Sequence, residues 1–203
     1  MTDTTTNVPA ARSKRGVIAL LIAAVVVVAG VVTWQVIGED RTVPYDDAQS
    51  AGLLTLCSAD GKPVTQGKVT DRPFAAVVVG ASGLPAVYDA DGAVATLFAY
   101  QPRAGIATSE FSGVPLTAAA TLVDPEQPAV TVTEDVWSVA DFVSAFPATL
   151  DGYVQLRLVL GTPAAGTLTE DPYDTADIRL DGDSWELVRG GTASCSDATA
   201  LVS

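Results

Sequence analysis

The sequence predicts a mainly β protein, in which one N-terminal transmembrane helix is followed by an extracytoplasmic β-sandwich with one short helix. Three observations lead there. Val17 to Ile37, VIALLIAAVVVVAGVVTWQVI, holds no charge and no proline. From Leu53 onward short apolar runs recur, broken by Gly, Pro and Asp, and about seven such runs at roughly ten-residue spacing indicate the short strands of a sandwich. Between Ser138 and Pro147 the apolar period becomes helical, with a cap in front and a proline behind.

The first observation fixes the organisation of the chain. A helix rises about 1.5 Å per residue, so about 20 apolar residues cross a hydrocarbon layer of about 30 Å. Val17 to Ile37 meets that length. Every backbone polar group in lipid needs a partner inside the segment, so even the β-branched run Val25 to Val28 is expected to be helical. Arg12, Lys14 and Arg15 precede the span, whereas Glu39 and Asp40 follow it with only Arg41 among them. This asymmetry puts the N-terminus in the cytoplasm and the rest outside. The alternative is a secretory signal cut after Ala29, but that would leave VVTWQVI as an apolar tail, and signal cores are shorter, about 7–15 residues. The expected divisions are a disordered cytoplasmic tail over 1–16, a transmembrane signal-anchor over 17–37, a charged linker over 38–50 and the extracytoplasmic domain over 51–203. The cell membrane, crossed once, is the expected location.

Charge divides along the same line. Residues 1–16 carry a net charge of +2, while residues 39–203 carry 8 basic and 23 acidic side chains, a net of −15. Such a domain repels nucleic acid and anionic lipid, so no nucleic-acid partner is expected. The two cysteines, Cys57 and Cys195, both fall in the outer, oxidising compartment and are expected to pair as a disulfide. There is no histidine. That removes Ser-His-Asp and Cys-His catalysis and histidine-ligated zinc, and leaves histidine-free mechanisms open.

Taken in order, Leu53 to Cys57 reads as a strand ending near the Asp60-Gly61 turn. Phe74 to Val79, FAAVVV, is continuously apolar, as a strand covered on both faces would be. Val94 to Tyr100 follows Asp91-Gly92, with Leu97 on one side and Phe98 and Tyr100 on the other; Pro102 ends it. Leu116, Ala118, Ala120 and Leu122 alternate with Thr117 and Thr121, and Val130 and Val132 with Thr131 and Thr133. The helix then begins, with Ser138 as N-cap, Asp141 completing a capping box, and Trp137 placed to staple against Phe142. Val139, Phe142, Val143 and Phe146 share one face, and Pro147 stops it. In Tyr153 to Leu160, Val154, Leu156, Leu158 and Leu160 point inward and Gln155 and Arg157 outward. Ile178 and Leu180 lead into the Asp181-Gly182 hairpin, with Trp185 and Leu187 on the return strand.

Few residues are candidates for chemistry. Asp171, Asp174, Asp177, Asp181 and Asp183 crowd one region, and a loop of carboxylates can supply the 6–8 oxygens that calcium takes. Their spacing is not that of an EF-hand. A carboxylate pair could serve a glycosidase, but nothing marks one pair among so many. Lys62 and Lys68 lack a matching SxxK serine, and no Gly-rich phosphate loop precedes the helix. No cofactor is implied. Tyr88, Tyr100, Tyr153, Tyr173 and Trp185 could stack on sugar rings if exposed, while Trp137 and Trp185 sit beside apolar periodic positions and are expected in the core.

The stretch LCSADGKPVTQGKV, Leu56 to Val69, resembles the first hairpin of transthyretin-like and Cna-B-type sandwich modules, in which a strand runs into a DxxGxPV turn. The basic head, the anchor, Tyr153-Val154-Gln155-Leu156-Arg157, Tyr173-Asp174 and Asp177-Ile178-Arg179 resemble a group of uncharacterised actinobacterial single-pass membrane proteins with a β-rich outer domain. That resemblance implies a location and no mechanism. The expected role is a non-catalytic binding or structural module of the bacterial cell envelope, whose partner is an envelope protein or wall glycan. A glycan- or peptidoglycan-binding module and a carboxylate-based hydrolase are the alternatives.

Overall fold

The computed structural model of the protein describes residues 42–202. The tail expected over 1–16, the span over 17–37 and the start of the linker lie outside the described residues. Among the described residues, no helix is long and apolar enough to cross a membrane.

The domain is mainly β, with two sheets and one short α-helix. Its strands are β1 (Ser50–Leu53), β2 (Thr55–Cys57), β3 (Gln66–Lys68), β4 (Val77–Val79), β5 (Val94–Gln101), β6 (Ser112–Pro115), β7 (Ala120–Thr121), β8 (Ala129–Thr131), β9 (Tyr153–Thr162), β10 (Gly166–Thr167), β11 (Tyr173–Asp181) and β12 (Ser184–Arg189). The larger sheet runs β3-β12-β11-β9-β5-β6, with β1 added beside β11, β10 beside β9 and β7 beside β5. The smaller is β2-β4-β8. Only β1 lies parallel to its neighbour, β11; the other described pairings are antiparallel.

The core forms because side chains alternate along each strand. Leu97 on β5, Val154, Leu156 and Leu158 on β9, Ile178 on β11 and Trp185 on β12 share one face of the larger sheet. They meet Leu56, Val78 and Val130 from the smaller sheet. The opposite face of the smaller sheet carries Cys57, Val77, Val79 and Ala129, closed over by Cys195 and Ala198. FAAVVV is thus covered on both faces where it is a strand.

Cys57 and Cys195 are bonded, with Cα atoms 5.5 Å apart. The bond holds the C-terminal tail, with its 3₁₀ turn over Ala198–Leu201, against that second face. Within the Leu56–Val69 stretch a tight turn forms: Ser58 N–H donates to Lys62 O (2.8 Å), Gly61 takes φ +70°, and Val64 N–H returns to Leu56 O (2.8 Å). Past it, β3 leaves to join β12 in the other sheet.

The helix, α1 (Val139–Ala145), starts as expected. Ser138 Oγ accepts from Asp141 N–H (3.2 Å) and Asp141 Oδ2 accepts from Ser138 N–H (2.7 Å). The Ser138 hydroxyl and N–H, with the Arg72 guanidinium beside it, hold the Asp141 carboxyl below its ordinary range. Val139 and Phe142 are buried, and Phe142 stacks on Phe146 at 5.1 Å.

Three expectations are corrected. Trp137 is 43% exposed rather than in the core; it lies just before the cap, at the edge of a small apolar pocket that Val139 and Phe142 also line. Leu116 to Leu122 is not one strand: β6 and β7 both pair with β5, but residues 116–119 bulge between them. Both Leu116 N–H (2.7 Å) and Thr117 N–H (3.3 Å) donate to Leu97 O, and the Thr117 hydroxyl accepts from Leu97 N–H (3.0 Å) in place of a backbone carbonyl. Residues 42–50 are not a spacer. They lie along the larger sheet, with Asp47 buried and Ser50 opening β1.

The disulfide closes a sequence separation of 138 residues, for which loop entropy sets a ceiling of about 5 kcal/mol and measured bonds typically give about 2–4. Cys57→Ala with Cys195→Ala is expected to lower the unfolding free energy within the typical range. Urea denaturation of the double variant against the oxidised protein measures it.

Candidate functional site

β9 lies between β5 and β11, so both its edges are paired. Its even-numbered side chains enter the apolar core. Its odd-numbered ones, Tyr153, Gln155 and Arg157, point to the other face. Register places Asp177 opposite Gln155 and Thr175 opposite Arg157 on one side, and Tyr100 and Phe98 opposite the same two residues on the other. Gln155 and Arg157, expected to point out into water, do point away from the apolar core, yet they are 0% and 3% exposed. The reason is a roof over this face, formed by residues 42–49 and by the loop between β5 and β6.

Asp47, from the roof, is the centre of this polar layer. Its carboxylate accepts from Gln155 Nε2 (3.0 Å), the Thr108 hydroxyl (3.1 Å), the Tyr173 hydroxyl (3.2 Å to each oxygen) and Gln49 N–H (3.2 Å). Arg157 Nη2 lies 3.8 Å away. The guanidinium also donates from Nε to Gln155 Oε1 (2.7 Å) and from Nη2 to Thr108 O (2.8 Å). Its central carbon lies 4.0 Å from the Tyr100 ring centroid and 4.6 Å from that of Tyr173. A cation desolvated over aromatic faces gains about 2 kcal/mol from each favourable stack. The ion is therefore paired, hydrogen-bonded and stacked, which a buried charge requires.

A second ion pair adjoins the first. Tyr45, also from the roof, donates its hydroxyl to Asp177 Oδ1 and sets its ring edge-on to Phe111 at 5.3 Å. Arg189 Nε meets Asp177 Oδ2 at 2.6 Å. Burial pushes the Asp177 carboxyl above its ordinary range, against the pull of the Tyr45 hydroxyl and Arg189. Burial, and for Tyr45 the Asp177 charge, raise the Tyr45 and Tyr173 hydroxyls well above the ordinary tyrosine value. Both tyrosines therefore stay protonated and act as donors, each to an aspartate of the other's segment.

The five aspartates weighed for calcium do not converge. Asp174 and Asp177 lie on opposite faces of β11, and Asp181 and Asp183 sit exposed at the hairpin. Asp171 accepts from the Tyr88 hydroxyl (2.8 Å). Asp174 is buried, with Oδ2 accepting from Ala81 N–H (2.6 Å) and Ser82 N–H (2.8 Å). Among the described residues, no three His, Cys, Asp or Glu side chains are placed to share a metal ion. Of the five aromatics weighed for sugar stacking, Tyr153, Tyr173 and Trp185 are buried and Tyr100 stacks on Arg157, whereas Tyr88 is only half-buried, with its hydroxyl on Asp171. Tyr45 and Asp47 were missed because they fall in the expected linker. Their one visible signal is that Pro-Tyr-Asp occurs twice, at Pro44 and at Pro172.

Chemically, the layer balances two carboxylates against two guanidiniums and presents a set of donors built around one carboxylate. Towards the far end of β9 the same face opens into an uncharged groove of about 300 Å³, lined by Val94, Thr96, Val159, Thr162 and Pro163 among others.

Two outcomes are expected. Arg157→Met strands Gln155 Oε1 and Thr108 O and should cost about 3 kcal/mol, the low end for breaking a buried pair because the roof is thin. Arg179→Met breaks a pair whose side chains are 39% and 52% exposed and should cost under about 1 kcal/mol. Denaturant unfolding of both variants compares them. The raised Asp177 pKa means that, above the unfolded value of 3.8, the native state keeps a proton the unfolded chain has released. Its stabilising effect is full below that pH and declines as pH rises to the raised value. Stability measured from about pH 3 to about pH 7 should show this decline in the wild type relative to Asp177→Asn.

No protein-family model, no curated protein and no solved structure matches this chain.

Proposed function

We propose that the chain is a membrane-anchored binding module of a bacterial cell envelope, with a β-sandwich head held outside the membrane and no catalytic role. The observation that carries this reading is the Cys57–Cys195 bond, since disulfides persist in oxidising compartments and are rare in the cytosol. Val17 to Ile37 and the basic residues before it supply an anchor of matching orientation. The resemblance to uncharacterised actinobacterial single-pass proteins points the same way. Binding is favoured over hydrolysis because Asp47 and Asp177 are sealed at 5% and 0% exposure, each already engaged by an arginine. A protein partner is favoured over wall glycan because most of the aromatics available for stacking on sugars are buried.

Crosslinking in intact cells followed by pull-down of the full chain tests this. Recovery from the membrane fraction with one stoichiometric protein partner is the expected result. Recovery of wall glycan alone would overturn the choice of partner. A mature chain beginning near Gly30 in the culture fluid, or both thiols free to alkylate in intact cells, would overturn the placement.

A further inference from the structure

Residues 42–49 cover the polar layer as a strap one chain thick. Thr42, Pro44, Asp46 and Ala48 are exposed, while Asp47 is buried and Tyr45 half-buried. In an extended chain, residues two apart project to the same side, and here Tyr45 and Asp47 both enter the layer. The remaining hold is light: Gln49 O accepts from Tyr173 N–H (3.1 Å), Gln49 Nε2 donates to Glu170 O (3.3 Å), and Thr42 O accepts from the Tyr153 hydroxyl (3.4 Å). A segment held through two inserted side chains and a few peripheral hydrogen bonds is a unit that can open locally while the sheet beneath stays folded. Lifting it returns water to Asp47 and to Arg157 together, so neither ion is left buried and unpaired.

What would then be uncovered is a built site. Arg157 stands between the Tyr100 and Tyr173 rings, with the Gln155 amide and the Thr108 and Tyr173 hydroxyls aimed at one carboxylate position. Asp177 waits for a hydroxyl beside it. The strap also runs into β1, which is laid parallel along β11 rather than turned in by a hairpin. This is how a separate peptide joins a sheet by strand addition. The same face continues past Arg157 to Val159 and the 300 Å³ groove, which the strap's inserted side chains do not enter.

We propose that this vault is a binding site for an extended peptide bearing a tyrosine two positions before a side-chain carboxylate. The strap is its built-in occupant, displaced when such a peptide arrives. The inference rests on the binding-module reading and names its ligand class. An occupant that must first be displaced lowers apparent affinity by the fraction of time the site is open.

The test uses the full chain and a fluorescent, end-blocked peptide of residues 42–49, followed by anisotropy. Asp47→Ala is expected to bind it at least about tenfold more tightly than the wild type, because self-occupation is weakened. The same peptide carrying Asp47→Asn should lose at least about tenfold, as should the Asp47→Ala chain further changed by Arg157→Gln. Near-UV circular dichroism checks folding; if Asp47→Ala does not fold, Asp47→Asn takes its place with the same expectation. A folded variant that ignores the peptide, or binds both peptides equally, overturns the proposal. Wild-type dimers lost in Asp47→Ala would assign the vault to a second copy's strap and overturn it too. An envelope partner captured equally well by wild type, Asp47→Ala and Arg157→Gln would leave the binding module standing and remove this site from it.

Discussion

Arg157 must stay charged inside a sheet, and much of the domain's second face follows from that requirement. An unpaired guanidinium away from water would cost several kcal/mol. Apart from Gln155, two residues along β9, its partners come from four separated parts of the chain: Asp47 before the first strand, Tyr100 on β5, Thr108 in the following loop and Tyr173 on β11. None of these four is near Arg157 in sequence, so the polar layer is complete only when the larger sheet is in register. A one-residue slip of β9 would turn Arg157 into the apolar core and Leu156 or Leu158 into the ionic layer. The ion cluster thus specifies pairing as well as contributing to stability.

The other face follows simpler physics, and this is why it was legible. Val154, Leu156 and Leu158 alternate as a half-buried strand should, and the structure puts all three in the core. The capping box at Ser138, the Asp181-Gly182 hairpin, the two-sided burial around Val78 and the cysteine pairing were equally readable, since each rests on neighbouring residues or on there being only two cysteines. Period two, however, tells which side a residue takes and not what lies over it. Gln155 and Arg157 looked solvent-facing because their cover comes from residues 108 positions away and from a loop 49 away. Leu116 to Leu122 failed for a local reason: the Thr117 hydroxyl can replace a carbonyl, so the alternation survives in sequence while the ladder does not.

The two buried acids of β11 illustrate how differently one residue type can be accommodated. Asp177 is met by charged and aromatic side chains. Asp174, on the opposite face, is held by backbone amides, and Gly52 and Gly80 make the space for it. A Cβ on either would approach its carboxylate oxygens to 2.4 and 2.7 Å. Neither glycine has a positive φ, so both positions are set by crowding rather than by backbone conformation.

Because Asp47 and Asp177 are each balanced by an arginine within the layer, the interior contributes little to the domain's net −15. Most of that surplus faces outward. A visitor approaching from more than a Debye length, about 8 Å in physiological salt, meets little of it, whereas one at closer range meets a field of largely one sign. Two such heads side by side would push each other apart, and their spacing on a crowded surface would tighten as ionic strength rises.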